Sequence, residues 1–358
     1  MTIYAAGYMP TGGYDWIKSY SDTGGLYATF SAPNLRDNFG GHDHGLVVER
    51  TGSASDRNLF ALHRTRVGTA PSDYYPDSPG GSLDAHTWLV EKFTDMYLGG
   101  HTTITLTNPD TASGFGNSQA WTGDLDMDLS QGNLWCNHRN GVGTSQSGFN
   151  RHHHDTGAQL NFYSNTTGVS AVPSRWFMVP NDVNFQIYGQ NGVGHSLLKG
   201  PPVAWSTATT FYTASGNLQC YCANPDTGDV FIGYFNTSGV PVIDRVSSAG
   251  SLIQTYTITI TGVSLPFTPD PNNTSHSKCL AAAGNMLVLN PYFANTAYTN
   301  DYGVGVWLID IPSGTGSDQP RFNISGMGTP PLNSNIVYSF AIDPAKVGKG
   351  VFVGSIGL

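Results

Sequence analysis

The sequence predicts an all-β protein: a β-propeller, with six four-stranded blades as the count that fits best, the N- and C-terminal strands closing one blade together. Three observations carry this expectation. The composition disfavours helices, two hairpin patterns recur along the chain, and the hairpins at the two ends are complementary.

Of 358 residues, 39% are hydrophobic and only 11% charged, against about 25% charged in an average globular domain. Within that small set stand 2 Glu beside 23 Asp, and 6 Lys beside 10 Arg. Glu and Lys are the charged residues that surface helices favour, so their scarcity argues against a helical protein. The 44 Gly, the 21 Pro and a surplus of Ser, Thr, Asn and Tyr point to short strands joined by tight turns.

The first recurring element, an outer hairpin, is an apolar strand, a turn ending in Gly and a second apolar strand. It runs over 16–20 and 26–30 around Asp22-Thr23-Gly24-Gly25, and returns around Gly99, Gly157 and Gly250, with weaker copies around Gly192 and Gly314. These glycines are separated by 75, 58, 35, 58 and 64 residues, a mean of 58, which divides the chain into about six units. The second element, an inner hairpin, falls between copies of the first and turns on Gly132-Asn133, Gly228-Asp229 and Gly284-Asn285. Gly beside Asn or Asp suits the positive φ that tight hairpins need. Its last copy is 337–342 followed by 351–353. Two hairpins make the four antiparallel strands of a blade.

The chain starts on an outer hairpin and ends on an inner one. Residues 14–31 together with 336–356 are therefore expected to close the ring as one blade of a single domain spanning 1–358. A β-sandwich would show the same turns without complementary ends. The third unit is short: its innermost strand is assigned to 169–172, segment 201–215 has no place, and five or seven blades stay open.

Net charge is −9 without a basic run, which excludes an electrostatic footprint for nucleic acid. No stretch approaches 18 apolar residues, so no membrane insertion is expected, and no positively charged signal-peptide start is seen. Four cysteines, Cys136, Cys220, Cys222 and Cys279, are too few for a disulfide scaffold and read as reduced thiols.

In a propeller the two hairpin turns of each blade share one face, and the remaining connections share the other. The long connections 36–44, 63–86, 108–121, 201–215, 266–277, 290–303 and 325–334 are all assigned to that second face. They carry Tyr74, Tyr75, Phe115, Trp121, Trp205, Tyr292, Phe293, Tyr298 and Tyr302 among short polar residues, the makings of a contact surface for protein or sugar. No catalytic residues are assigned, since no nucleophile elbow, phosphate loop or spaced carboxylate pair is present.

The default is no cofactor, with three groups leaving room for a divalent metal. His152 and His154, within Arg151-His152-His153-His154-Asp155, would share one side of a strand. His42 and His44 lie in a Gly-rich segment before the first inner strand, and Asp124, Asp126 and Asp128 alternate along a strand.

The paired turns Asn224-Pro225-Asp226-Thr227-Gly228-Asp229-Val230 and Ser248-Ala249-Gly250-Ser251-Leu252 resemble those of six-bladed propellers of the NHL and gluconolactonase-like kind. That resemblance implies a metal held by Glu, Asn and Asp in the channel, yet Glu49 and Glu91 fall outside the matching positions. The composition as a whole is similar to that of tailed-bacteriophage virion proteins. It implies a non-enzymatic structural or receptor-contacting tail or appendage component, present in several copies and released by lysis. Its partners would be other virion proteins, a host receptor or a glycan. The alternatives are a metal-dependent hydrolase or lactonase with a site at the channel mouth, and a carbohydrate-binding propeller lectin.

Overall fold

In a computed structural model the chain forms six four-stranded antiparallel sheets arranged as a β-propeller. The structure describes residues 1–9, 14–32, 46–49, 57–66, 86–106, 120–128, 132–140, 147–165, 173, 175–179, 184–190, 194–258, 280–289, 305–314, 322–323 and 336–344.

Blade 1 joins the two ends of the chain. Its strands, from the channel outward, are β24 (Ile336–Asp343), β1 (Thr2–Met9), β2 (Tyr14–Ser21) and β3 (Leu26–Ala32). Blade 2 is β4 (Leu46–Val48), β5 (Leu59–Arg66), β6 (His86–Phe93) and β7 (His101–Thr105). Blade 3 is β8 (Ala120–Met127), β9 (Leu134–Asn140), β10 (Ser147–His152) and β11 (Gln159–Asn165). Blade 4 is β12 (Arg175–Met178), β13 (Ile187–Gln190), β14 (Ser196–Gly200) and β15 (Thr209–Thr213), with a 3₁₀ helix (Pro202–Thr207) before β15. Blade 5 is β16 (Leu218–Ala223), β17 (Val230–Phe235), β18 (Pro241–Val246) and β19 (Leu252–Thr257). Blade 6 is β20 (Leu280–Ala283), β21 (Met286–Leu289), β22 (Gly305–Asp310) and β23 (Phe322–Asn323). The innermost strands β24, β4, β8, β12, β16 and β20 neighbour one another in that order, and β20 returns to β24.

The core lies between blades rather than within one of them. Each of the six seams holds its own apolar cluster. Ile3, Tyr20, Phe340 and Ile342 of blade 1 meet Ala281, Ala283 and Val288 of blade 6. On the other side of the ring, Trp135 and Phe149 of blade 3 meet Trp176, Met178 and Ile187 of blade 4. A twisted four-stranded sheet has two faces to bury, and stacking radially covers both. Polar bonds cross the seams as well: Arg57 Nη1 reaches Asp343 Oδ1 at 3.2 Å between blades 2 and 1, and the Gly284 N–H donates to Asp226 Oδ2 at 2.6 Å between blades 6 and 5.

The turns repeat a six-residue form. In 128–133, 153–158 and 224–229 the first residue's N–H donates to the carbonyl of the sixth, and the N–H of the fifth, always Gly, donates back to the first. These glycines, Gly132, Gly157 and Gly228, have φ of +68°, +68° and +77°, a conformation that a side chain disfavours. Because neighbouring strands are antiparallel, the connections between strands 1 and 2 of blades 2 to 6 and between strands 3 and 4 of every blade leave from one face, here termed the short-turn face.

Two expectations need correction. The strand beside β24 is β1, residue for residue from Thr2↔Asp343 to Tyr8↔Ile336 with one register shift, not 351–353, which lie outside the described residues. The run Ala5-Ala6-Gly7 lowers the β propensity of this segment, so its strand character comes from pairing on both sides. In blade 4 the innermost strand is β12 instead of 169–172, and the outer hairpin is β14–β15. The segment 201–215 is the 3₁₀ helix with the outer strand, so its bend lies on the short-turn face. With the turn centred on Trp205, the intervals from Gly157 and to Gly250 become 48 and 45 residues (205 − 157 and 250 − 205), and the 35-residue interval that made the third unit short disappears.

Candidate functional site

Described strand ends assign the long connections 33–45, 67–85, 107–119, 259–279, 290–304 and 324–335 to the face opposite the short turns. Tyr74, Tyr75, Phe115, Tyr292, Phe293, Tyr298, Tyr302, His42 and His44 belong to these connections and lie outside the described residues. Trp121 pairs through its backbone with Arg139 near the start of β8, the strand end nearest that face; its side chain and that of Asp124 are outside the description.

Trp205 is a correction. It stands on the short-turn face and is 1% exposed, in the cluster with Trp135, Phe149, Trp176, Met178 and Ile187. An indole of that size, flanked by Pro201 and Pro202, closes blade 4 against blade 3 and offers no surface to a partner.

Among the carboxylates of blade 3, Asp126 and Asp128 take separate partners. Asp126 accepts from the Met127 N–H at 2.8 Å and from the Met178 N–H of blade 4 at 2.9 Å. Asp128, buried just past the end of β8, accepts from Trp135 Nε1 at 2.7 Å and Arg151 Nε at 2.9 Å. The Arg151 guanidinium lies 4.9 Å from the Phe185 ring centroid. A buried carboxylate is tolerated when cation and donors surround it, so these acids hold strands and blades together.

The histidine run is placed differently from the sequence expectation. Strand β10 ends at His152, with a register shift between Arg151 and His152, and the chain turns at once. The every-second-residue rule stops there, so His152 and His154 do not pair. His152 is 1% exposed and bonds the Gly157 carbonyl through Nδ1 at 3.1 Å; burial pushes its imidazole down to about 4.

His153, His154 and Asp155 come together instead: one ligand atom from each lies within 4.8 Å of the others, the one such group among the described residues. The two rings stack at 5.0 Å and 14°. His154 Nε2 stands 3.2 Å from Asp155 Oδ2, and Lys92 Nζ of blade 2 stands 2.6 Å from Asp155 Oδ1. That Lys92 hydrogen bond, with the nearby imidazoles, holds the Asp155 carboxyl below its ordinary value. The Phe60 ring meets His154 edge-on at 6.4 Å and lies 5.7 Å from the Lys92 ammonium. Sequence reasoning missed His153 and Lys92. Aligning His153–Ala158 with Asn224–Asp229 as one turn would have found the first; the second comes from another blade and leaves no local signal.

No protein-family model and no curated protein matches the chain. Among solved structures, a protein of unknown function from Bacteroides caccae is 10% identical, covers 95% of this chain and 97% of its own, and has a TM-score of 0.52. The periplasmic gluconolactonase of Pseudomonas aeruginosa is 11% identical over 88% of this chain and 80% of its own, with a TM-score of 0.46. A chain of the nidogen/laminin complex is 8% identical over 95% and 97%, with a TM-score of 0.49. At such identities the first of these likenesses speaks for the fold alone. Among the described residues no helix is long and apolar enough to cross a membrane.

Proposed function

We propose that this propeller is a non-enzymatic binding module, a tail or appendage component of a tailed-phage particle. It contacts other virion proteins or a host-surface glycan through the face of long connections. The observation that carries the reading is the asymmetry between faces: short hydrogen-bonded turns occupy one, and the connections rich in Tyr and Phe leave from the other, with Trp121 at the adjoining end of β8. Aromatic residues spaced by Ser, Gly and Asn on a rigid framework give contact area at small entropic cost. Low charge, abundant Gly, Ser, Thr and Asn and reduced cysteines support the particle setting. The commitment of Asp126 and Asp128 to interstrand and interblade bonds supports binding over hydrolysis.

The test joins Trp121→Ala, Tyr292→Ala and Tyr298→Ala in one variant. On a glycan array and on host envelopes, binding is expected to fall by about tenfold or more, as loss of aromatic anchors does, with an unchanged circular dichroism spectrum. Mass spectrometry of purified particles is expected to find the chain. Its absence there would overturn the virion setting, and metal-dependent turnover of sugar lactones would overturn the non-enzymatic reading.

A further inference from the structure

The turn at 153–158 carries side chains that its geometry does not require. Its backbone bonds are those of 224–229: first N–H to sixth carbonyl at 2.9 and 2.8 Å, fifth N–H to first carbonyl at 2.9 and 2.8 Å. The side-chain bonds match too. The third residue's N–H donates to the first side chain, His153 Nδ1 at 3.1 Å in one turn and Asn224 Oδ1 at 3.0 Å in the other. The sixth N–H donates to the Thr156 or Thr227 hydroxyl at 3.3 Å in both. His153-His154-Asp155-Thr156-Gly157 thus does the work of Asn224-Pro225-Asp226-Thr227-Gly228 with two imidazoles in place of Asn and Pro. The backbone of the turn asks nothing of the His154 imidazole that Pro225 does not supply: its Nε2 faces Asp155 Oδ2 at 3.2 Å, and its Nδ1 is buried without a hydrogen-bond partner among the described residues.

We propose that His153, His154 and Asp155 bind a divalent transition-metal ion of the Zn²⁺ class at the seam of blades 2 and 3, on the short-turn face. Two imidazoles and a carboxylate are the mixed donor set that Zn²⁺, Ni²⁺ and Cu²⁺ accept, whereas Ca²⁺ and Mg²⁺ want oxygen throughout. Bonds of about 2.0–2.1 Å in a tetrahedron set ligands roughly 3.3 Å apart. The His154–Asp155 pair already stands at 3.2 Å. Within the 4.8 Å group, the half-buried His153 ring has at most about 1.5 Å to close, by side-chain rotation.

The surroundings are those of a supported site. Lys92 bonds the far oxygen of Asp155, leaving Oδ2 toward the rings, as outer groups orient a ligating carboxylate. Gly157 brings the turn so close to blade 2 that an added Cβ would lie 2.1 Å from the Thr105 carbonyl oxygen, so the platform is fixed. Three protein ligands leave a fourth position for water or for a side chain of a docking partner.

The test is calorimetric titration of zinc into full-length protein stripped of metal by a chelator. The native chain is expected to take one ion saturably. The double variant His153→Asn, His154→Pro rebuilds a turn the chain already uses, so it is expected to keep its thermal midpoint without zinc and to bind about 100-fold more weakly or not at all. Lys92→Met is expected to keep the single ion with affinity lowered about tenfold. A native chain without a stoichiometric ion, or a double variant that binds as the native chain does, overturns the site. Should the double variant fail to fold, His154→Ala in the same titration decides by the same criterion.

Discussion

Asp244 shows how much a single residue carries in this ring. It is 2% exposed in β18, and its carboxylate accepts three hydroxyl bonds: Tyr212 at 2.8 Å from blade 4, Tyr234 at 2.8 Å and Thr255 at 2.6 Å from its own blade. Burial, then the carboxylate itself, raises the Tyr212 hydroxyl above its ordinary value, which keeps it a donor. Asp244→Ala would leave three hydroxyls without their acceptor and is expected to cost about 3 kcal/mol of stability, read from the urea midpoint, with Asp244→Asn losing less. At this scale the sequence was partly legible. It marked the histidine run and the acids of blade 3 as chemistry-bearing, yet misjudged their partners. Whether Asp126 faces a cation or the Met178 N–H depends on a strand some fifty residues away, and no periodicity encodes that.

The element that repeats is the turn, and its glycine separates two physical costs. At Gly228 a Cβ would find nothing nearer than 3.9 Å, so Gly228→Ala bears only the left-handed backbone, about 1–2 kcal/mol. At Gly157 the same backbone is joined by a collision at 2.1 Å with the Thr105 carbonyl. Gly157→Ala is therefore expected to lower the thermal midpoint by at least twice as much as Gly228→Ala, and equal shifts would show that blade 2 yields freely. Turns of this kind were readable because a Gly ending a short polar run announces them, followed by Asn or Asp in the inner hairpins. The outer hairpin of blade 4 was not, since a 3₁₀ helix starting at Pro202 makes the bend without a turn glycine. Trp205, read as a surface ring, is instead the apolar plug of that bend.

The whole molecule depends on closure. Ala5 lies in β1 between Lys18 of β2 and Phe340 of β24, so its backbone belongs to an interior strand. Ala5→Pro removes a ladder donor there and is expected to cost about 3 kcal/mol or more, seen as a lower and broader thermal transition. A negligible effect would mean that the N-terminal strand does not complete blade 1. The alternation of strand and turn and the joining of the two ends in one blade were legible in the sequence alone, because turn chemistry and apolar runs act over a few residues, whereas six was there only the best-fitting count, with five and seven open. Which segment lies beside β24, where Trp205 packs and that Lys92 of blade 2 meets Asp155 of blade 3 were decided only by the tertiary structure. Those choices are made by packing between segments from distant parts of the chain, where local propensity has no say.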